Sequence, residues 1–544
     1  MNTQTTMRPI PENETGDGEV LSLIPYTGPW TKEEAAHLLR RTLFGPTRQQ
    51  ILDAVANGMN NTVDTLLAPV TDTLPLTFST DDTISNVGES WVNEYMPAGD
   101  QQPTIVARFA SLFGWISQNL FEPNLSIREK MTLFWQNHFA VTYDNEPKMS
   151  YDYIQLLRDN CLGNFRQLIK DITIDSQMLV FLNGASNNQF SPNENYAREL
   201  LELYTIGKGP QIGEGDYTNY TEDDIAEIAR ILTGWVVENY LSQSGNLVGS
   251  NFYAILHDPG TKQLSEKFGN AIINNADAGE YSALIDIIFQ QDEVARFICR
   301  KLYRWFVNYD LTPEVNATII EEMATELIAN NYDIEPVMSL LLRSEHFYSI
   351  ALRGTIIKNP VEYMVSMYTT SGSQMNFDLP TTYQMHLIFG WISENIGMHY
   401  FAPPQVAGWT AYYQSPGFSQ MWINAATIKK RVEYTYYALY NGLDANGQQF
   451  PIDVLNLLDS FDYPNDDVEV IKELELLYCC KPLSATQRNF LANQLNGGFG
   501  SSVWTTAYDT YATDPSNQSN ANVIKNQMRV TLLNLFKMPE FHII

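Results

Sequence analysis

The sequence is poor in basic residues and has no long apolar run. It contains 33 Lys and Arg against 63 Asp and Glu, which gives a formal net charge of −30 at pH 7. A surface this negative repels phosphate backbones and anionic lipids, so we expect no nucleic-acid binding. No stretch approaches the ~20 apolar residues that a membrane-spanning helix needs, so we also expect no membrane insertion.

Cysteine is scarce as well. The four cysteines lie at spacings that match no zinc or redox motif; they are Cys161, Cys299, Cys479 and Cys480. Bridge geometry fits the adjacent pair poorly, and nothing in the pattern requires an oxidising compartment. The opening segment MNTQTTMRPIPENETGDGEV shows no apolar run of the kind a signal peptide has. The sequence as written therefore predicts a cytoplasmic protein.

The familiar catalytic signatures are absent. The sequence has no H-E-x-x-H, no G-x-S-x-G, no phosphate-binding loop and no dinucleotide fingerprint. Standard interpretations as a zinc protease, lipase, kinase or NAD-dependent enzyme are therefore unsupported.

Helical patterns dominate what is present. Hydrophobic residues make up 44% of the 544 residues, a composition typical of globular proteins. Four capping boxes predict helix starts: Thr31/Glu34, Ser126/Glu129, Ser191/Glu194 and Thr221/Asp224. Strands are few, and 250–256 is a candidate. Stretches without periodicity fall at 72–100, 208–220, 236–280, 370–382, 400–420 and 495–520. The sequence predicts a mainly α protein, in which a multi-helix globular core carries long irregular loop insertions and few or no strands.

Three regions are predicted along the chain. Residues 1–28 are polar and rich in Pro, Gly and Glu, which is typical of a flexible lead-in. Residues 29–430 form the helical core. Residues 431–544 form a C-terminal helical extension that packs on the core.

The stretch SPNENYARELLELYTIG, residues 191–207, places polar side chains on one side of a predicted helix. At ~100° per residue, that side carries Glu194, Asn195, Arg198, Glu199 and Glu202. Oppositely charged residues four apart form a ladder that suits a solvated face. The alternative is that Glu199 and Glu202 line a cleft.

Two histidines lie on predicted helices. His138 falls within the apolar stripe of SIREKMTLFWQNHFAV, so we expect it to be buried, either as a hydrogen-bonded core residue or as an acid–base group or ligand. His37 lies on a polar arc together with Arg40 and Arg41, where an exposed His–Glu pairing would explain it.

Two further segments carry charge. In DEVARFICRKLYRWF, Arg296, Arg300 and Arg304 follow one stripe, and like charges repel unless anions face them. Those anions are either internal carboxylates, Glu199 and Glu202 among them, or an anionic ligand. In HDPGTK, the turn at residues 258–260 makes His257 and Lys262 project from a loop.

An ordered set of motifs resembles the bacterial DUF1800 family, a domain of unknown function. The motifs are HLLRRTLFGPT, FWQNHFAV, NENYARELLELYTIG, YTEDDIAEIARILTGW, HDPGTK, CRKLYRWFV, KNPVEYMV and PPQVAGW. They span roughly residues 30 to 430. The resemblance implies relatives that are often exported, which leaves the location of this chain open. It also implies, as a possible partner, a protein of a sulfatase- or phosphatase-like family whose genes often lie beside those of the relatives.

Two functions fit these observations. The first is a hydrolase acting on an anionic or carbohydrate substrate. The acid–base groups of this hydrolase, or its ligands for a divalent metal, would be His138, Glu199, Glu202 and His257. Five cationic residues would bind the substrate: Arg198, Lys262, Arg300, His37 and Arg40. The second function is a non-catalytic helical scaffold that binds a partner protein or a polysaccharide, with the same residues forming a buried ion network.

Overall fold

The chain folds mainly into α-helices, as the sequence predicts. A computed structural model describes residues 21–122, 124–143, 146–243, 245–409 and 417–544. The helices of the first half are α1 (Lys32–Thr42), α2 (Arg48–Asn57), α3 (Met59–Leu67), α4 (Gln102–Phe121), α5 (Arg128–His138), α6 (Pro147–Asp159), α7 (Phe165–Thr173), α8 (Ser176–Phe181), α9 (Glu194–Glu199) and α10 (Glu222–Ile231). A π-helical turn, Leu200–Thr205, continues α9.

The second half continues in the same way. Its helices are α11 (Glu280–Ile288), α12 (Asp292–Phe306), α13 (Pro313–Val315), α14 (Glu321–Ala329), α15 (Ile334–Leu342), α16 (Glu345–Tyr348), α17 (Pro360–Thr370), α18 (Leu379–Ile396), α19 (Ala425–Tyr440), α20 (Val454–Asp459), α21 (Asp467–Tyr478), α22 (Ala485–Leu495), α23 (Ser501–Thr513) and α24 (Gln518–Leu535). A second π-helical turn, Asn316–Ile320, joins α13 to α14. Within the described ranges, no helix combines the length and apolarity needed to cross a membrane.

The described strands are short and form antiparallel pairs only. They are β1 (Gln211–Gly213) with β2 (Asp216–Tyr217), β3 (Trp235–Glu238) with β4 (Gly249–Phe252), β5 (Lys262–Gln263) with β6 (Ile272–Ile273), and β7 (Leu443–Ala445) with β8 (Gln448–Phe450). The strand candidate 250–256 is confirmed for its first part, and a 3-10 turn, Ala254–Leu256, follows. The prediction of few strands is confirmed.

Two of the four predicted capping boxes form. Thr31 caps α1 and Thr221 caps α10, each with its acidic partner three residues on. The other two predicted capping boxes do not form. Glu129 is engaged by Arg158 (2.6 Å), and α5 begins without a side-chain cap. The helix expected from Ser191 begins only at Glu194, after Asn193 as its N-cap.

The predicted lead-in and the predicted extension both contact distant parts of the chain. Residues 1–20 of the predicted lead-in lie outside the described residues, whereas residues 21–28 are held in place. The backbone N–H of Leu23 donates to Glu322 (2.8 Å). In the predicted extension, Glu473 binds Arg48 (2.9 Å), which begins α2. The division at residue 430 itself stays a prediction.

Candidate functional site

A polar pocket lies where α1, α17 and the end of α21 meet. Its cavity volume is about 10 Å³, which is room for about one water molecule. It is lined by Arg40, Leu43, Phe44, Gly45, Pro46, Lys358, Glu362, Ser366, Thr370, Leu477, Tyr478 and Ile544. We call it the Arg40–Lys358 pocket. It brings together residues of the motifs HLLRRTLFGPT and KNPVEYMV, which are about 300 residues apart, and residues of the predicted extension.

Gly45 allows α1 and α17 to approach each other here. Its φ is +118°, a conformation that favours glycine. A Cβ at this position would lie 2.8 Å from the Cα of Ser366 and 2.7 Å from Oγ1 of Thr369. Thr369 also donates to the carbonyl of Phe44 (3.1 Å). The turn after α1 is thus seated directly on α17, which fixes Arg40 relative to Lys358.

Lys358 carries a buried amine without a counter-charge. The residue is 4% exposed and directly precedes Asn359, the N-cap of α17. Among the described residues, no carboxylate lies within ion-pair distance of its Nζ, which lies over the ring of Phe541 (4.1 Å to the centroid). Burial, with further contributions from Arg40 and Arg431, lowers the pKa of Lys358 to about 7. At neutral pH this amine is therefore partly charged and partly neutral.

Two other buried donors line the same pocket. Arg40 is 8% exposed; its Nη2 donates to the carbonyl of Leu476, while its Nε has no hydrogen-bond partner. Burial lowers the pKa of Arg40. The hydroxyl of Tyr478 is also buried without a partner. Unpaired buried donors carry a desolvation cost, and here they surround one small space.

The one side-chain carboxylate among the residues that line the pocket is already neutralised. Glu362 pairs with Lys130 of α5, and both side chains are 4% exposed. The Nζ of Lys130 also lies over the ring of Phe44 (4.7 Å). Lys130 faces a neighbouring cleft of about 80 Å³, which shares Leu43, Phe44 and Gly45 with the pocket. The pocket itself therefore has an excess of positive charge.

His138 lies elsewhere, in a hydrogen-bonded core environment. Its Nε2 donates to the carbonyl of Tyr204 (3.1 Å), so its Nδ1 accepts from Nζ of Lys301 (2.9 Å). Lys301 also donates to the carbonyl of Leu203 (2.8 Å). Burial, and then Lys301, hold the pKa of His138 well below its ordinary value. The π turn widens the helix at the carbonyls that these two side chains use. The prediction that His138 is buried is correct.

His257 and Lys262 meet at a buried glutamate. Lys262 lies 2.6 Å and His257 lies 3.1 Å from the carboxylate of Glu280, the first residue of α11. All three side chains are at most 1% exposed. The Nδ1 of His257 donates to the carbonyl of Thr233 (2.9 Å). Although these residues were expected to project from a loop, they fasten that loop to α11.

The acidic residues of α9 and its π turn lie at the surface. Arg198 donates two hydrogen bonds to the carboxylate of Glu222 (2.9 and 2.7 Å). Both side chains are partly exposed. Glu202 accepts from the hydroxyl of Tyr220 (3.1 Å). Burial and then Glu202 raise the pKa of Glu199, while Arg198 opposes the shift. Neither glutamate is among the hydrogen-bond partners of His138 or His257.

The arginines of α12 use other acids. Arg296 binds Glu321 (2.7 Å), and Arg300 binds Glu293. Internal carboxylates therefore face these two guanidinium groups, as one alternative predicts. The suggestion that Glu199 and Glu202 are those carboxylates is wrong for Arg296 and for Arg300. Glu293 lies within α12 itself, and Glu321 is the first residue of α14.

His37 is buried rather than exposed. It is 2% exposed, and its Nε2 donates to the carbonyl of Phe347 (3.0 Å). Burial, followed by Arg41 and Arg353, holds the pKa of His37 well below its ordinary value. The expected surface His–Glu pairing is therefore wrong, because α16 covers this face of α1.

The predicted metal ligands do not converge. Within the described ranges, no group of three or more His, Cys, Asp or Glu side chains is arranged to hold a metal ion. His138, Glu199, Glu202 and His257 have different hydrogen-bond partners, and none of the four is a partner of another. A common site formed by these four residues stays a prediction.

Sequence reasoning identified Arg40 but missed Lys358, Glu362, Lys130 and Tyr478. For Lys358, the sequence did contain one signal. A lysine placed just before a helix N-terminus adds positive charge where the helix dipole is already positive. Lys358 stands there, immediately before Asn359 and Pro360. Such a position favours a nearby anion.

Comparison with known proteins gives one match. No curated protein and no solved structure matches the chain. A family described as "Protein of unknown function (DUF1800)" matches residues 37–543. The match includes the C-terminal residues that the motif resemblance, ending near 430, left out. This confirms the resemblance, and the chain belongs to the DUF1800 family.

Proposed function

We propose that the protein binds a compact anion of the phosphate or sulfate class in the Arg40–Lys358 pocket. The observation that carries this proposal is the buried amine of Lys358, which shares a pocket with Arg40 and has no counter-ion among the described residues. Two like charges held close in a buried space repel each other. A bound anion would remove that repulsion and restore the charged form of Lys358.

The donor set suits an oxyanion. Arg40 offers an unpaired guanidinium N–H, Lys358 offers an ammonium, and Tyr478 offers a hydroxyl. Ser366 and Thr370 line the same wall. Guanidinium and ammonium groups make short, charge-assisted hydrogen bonds to phosphate and carboxylate oxygens. The cavity of about 10 Å³ has room for about one oxygen atom of such an anion, so the rest of the ligand would lie at the pocket mouth.

Binding is better supported than hydrolysis. The residues predicted for catalysis are largely engaged within the fold: His138 with Lys301, and His257 with Glu280. A hydrolase would be supported by turnover of p-nitrophenyl phosphate or sulfate that Glu199→Gln abolishes. We expect binding of these compounds without turnover.

The partner implied by family resemblance fits this ligand class. Enzymes related to sulfatases and phosphatases release sulfate or phosphate. A protein that binds such an anion could act beside one of them, on grounds of association alone.

Thermal unfolding with increasing phosphate, at constant ionic strength, tests the proposal. Wild type should gain stability in a saturable way, by about 2.7 kcal/mol at a hundred times the dissociation constant. Lys358→Met and Arg40→Gln should lose the gain. Because phosphate also stabilises proteins generally, the matched controls are Lys472→Met and Arg296→Gln, which remove more exposed cations. Equal gains in all five proteins would contradict a specific site.

A further inference from the structure

A larger cleft lies elsewhere in the described part of the chain and shares no lining residue with the Arg40–Lys358 pocket. Its volume is about 600 Å³, which is within the range of small-molecule binding sites. It lies between the end of α3, the start of α5, the end of α6 and the start of α15. The cleft is lined by Asp64, Leu67, Ala68, Pro69, Val70, Asp72, Ser126, Arg128, Arg158, Asp159, Cys161, Leu162, Gly163 and Glu335. We call it the Asp159–Glu335 cleft.

Two carboxylates of this cleft lack a counter-charge. The other two already bind cations, in the pairs Asp72–Arg128 (2.7 Å) and Asp64–Arg343 (2.5 Å). Asp159 and Glu335 have no ion-pair partner among the described residues. Burial, and then the negative charge of Asp72, raise the pKa of Asp159. A cationic ligand would remove this repulsion and restore the charged form of Asp159.

A buried cation in the same lining has an unused donor. Arg158 is 2% exposed. Its Nη1 donates to Glu129 (2.6 Å), whereas its Nε has no hydrogen-bond partner among the described residues. A buried N–H without an acceptor carries a desolvation cost, which an oxygen atom of a ligand would remove. The lining therefore offers a donor in addition to the two carboxylates.

The rest of the lining is largely aliphatic. Apolar atoms come from Leu67, Ala68, Pro69, Val70 and Leu162. Such a wall suits the methylene groups of a side chain whose charged end stays at the cleft mouth. The net charge of −30 also favours the approach of cations. A ligand that matches the cleft has an aliphatic body, an ammonium group and an oxygen acceptor.

We propose that the Asp159–Glu335 cleft binds a small basic zwitterion, which is either an amino acid of the lysine type or a short basic peptide. The ammonium groups of the ligand pair with Asp159 and Glu335. Its carboxylate accepts from the Nε of Arg158, and its methylene groups pack on the aliphatic wall. This inference does not rest on the proposed anion binding, because the two sites share no lining residue.

Isothermal titration of the full-length wild type with L-lysine tests the inference without relying on a variant that fails to fold. L-norleucine lacks the side-chain ammonium of lysine, and 1,5-diaminopentane lacks its carboxylate. Each should bind about tenfold more weakly than lysine, because each loses one of the proposed contacts. Equal binding of lysine and 1,5-diaminopentane would mean a general attraction of cations to an acidic surface, and would overturn the inference. Lysyl-lysine distinguishes the two ligand sources: tighter binding than lysine identifies a peptide, and weaker binding identifies the free amino acid.

One pair of variants locates the binding. Glu335→Gln should weaken lysine binding about tenfold, because it removes one of the two free carboxylates. Glu314→Gln should leave the affinity unchanged; it is a matched control, since both are exposed glutamates in the first turn of a helix. Equal affinity in the two variants, or no saturable lysine binding in the millimolar range, would overturn the inference. These titrations contain no phosphate, so either result leaves the proposed anion binding intact.

Discussion

At the scale of the residue, the surroundings rather than the residue type decide what a lysine does here. Lys262 is fully buried yet neutralised by Glu280, whereas Lys358 is buried beside Arg40 without a carboxylate. The first arrangement stabilises a loop. The second costs folding free energy, and such a cost is commonly found where a protein binds something.

Replacing Lys358 by Met should change how stability depends on pH. The pKa of Lys358 is about 7 in the folded chain and ~10.4 in an unfolded one. Between these values the unfolded chain holds the proton and the folded chain does not. Stability from this group therefore rises with pH across that window, by up to about 1.4 kcal/mol per unit, and is lowest below pH 7.

Urea unfolding in phosphate- and sulfate-free buffer, at about pH 6, 7.5 and 9, measures this effect. The Met variant should be the more stable protein at low pH, and wild type should approach it as pH rises. A constant difference would mean that Lys358 has a counter-ion in the folded protein. Added phosphate should flatten the wild-type response.

Sequence could identify only part of this site. Arg40 belongs to a helix whose cap is local, so its place on α1 was predictable, but its burial was not. The burial of Lys358 depends on Phe541 and Tyr478, more than a hundred residues away along the chain. No local pattern carries that information. For the same reason His37 was expected on the surface, although α16 covers it.

At the scale of the element, local rules worked where no distant group competed. The capping boxes at Thr31 and Thr221 formed. The box predicted at Ser126 did not form, because Arg158 binds Glu129. The mainly α fold followed from the helical periodicity. The polar arc after Ser191 runs through α9 into the π turn Leu200–Thr205, which departs from 3.6 residues per turn. Neither Glu199 nor Glu202 is the ion-pair partner of Arg300, which binds Glu293.

Glu280→Gln should destabilise the protein strongly, because it leaves the ammonium of Lys262 buried without its counter-charge. Breaking a buried pair in this way costs about 3–5 kcal/mol. Glu222→Gln removes a partly exposed partner of Arg198 and should cost about 0–1 kcal/mol. Urea unfolding gives both values. Similar losses in the two variants would show that the His257–Glu280–Lys262 contact does not hold the loop to α11.

At the scale of the whole molecule, the pocket is a positive site in a chain of net charge −30. The surrounding field opposes the approach of anions, so an anion site needs concentrated and buried cations to compete. The pocket meets this need by combining Arg40 and Lys358 of the predicted core with Tyr478 of the predicted extension. A ligand in the pocket would contact the predicted core and the predicted extension, so an experiment can test whether both regions bind it.

Hydrogen exchange with and without phosphate should therefore show protection in two distant segments at once. In wild type, phosphate should slow exchange near residues 358–362 and near residues 476–480, because the ion contacts the start of α17 and the end of α21. Lys358→Met should lose both effects, and Lys472→Met, a change within α21 on an exposed side chain, should keep both. Exchange that slows only near 358–362 would mean that the extension does not close the pocket. Slowing throughout the chain in every variant would mean a general salt effect, which acts on the whole surface and requires no site.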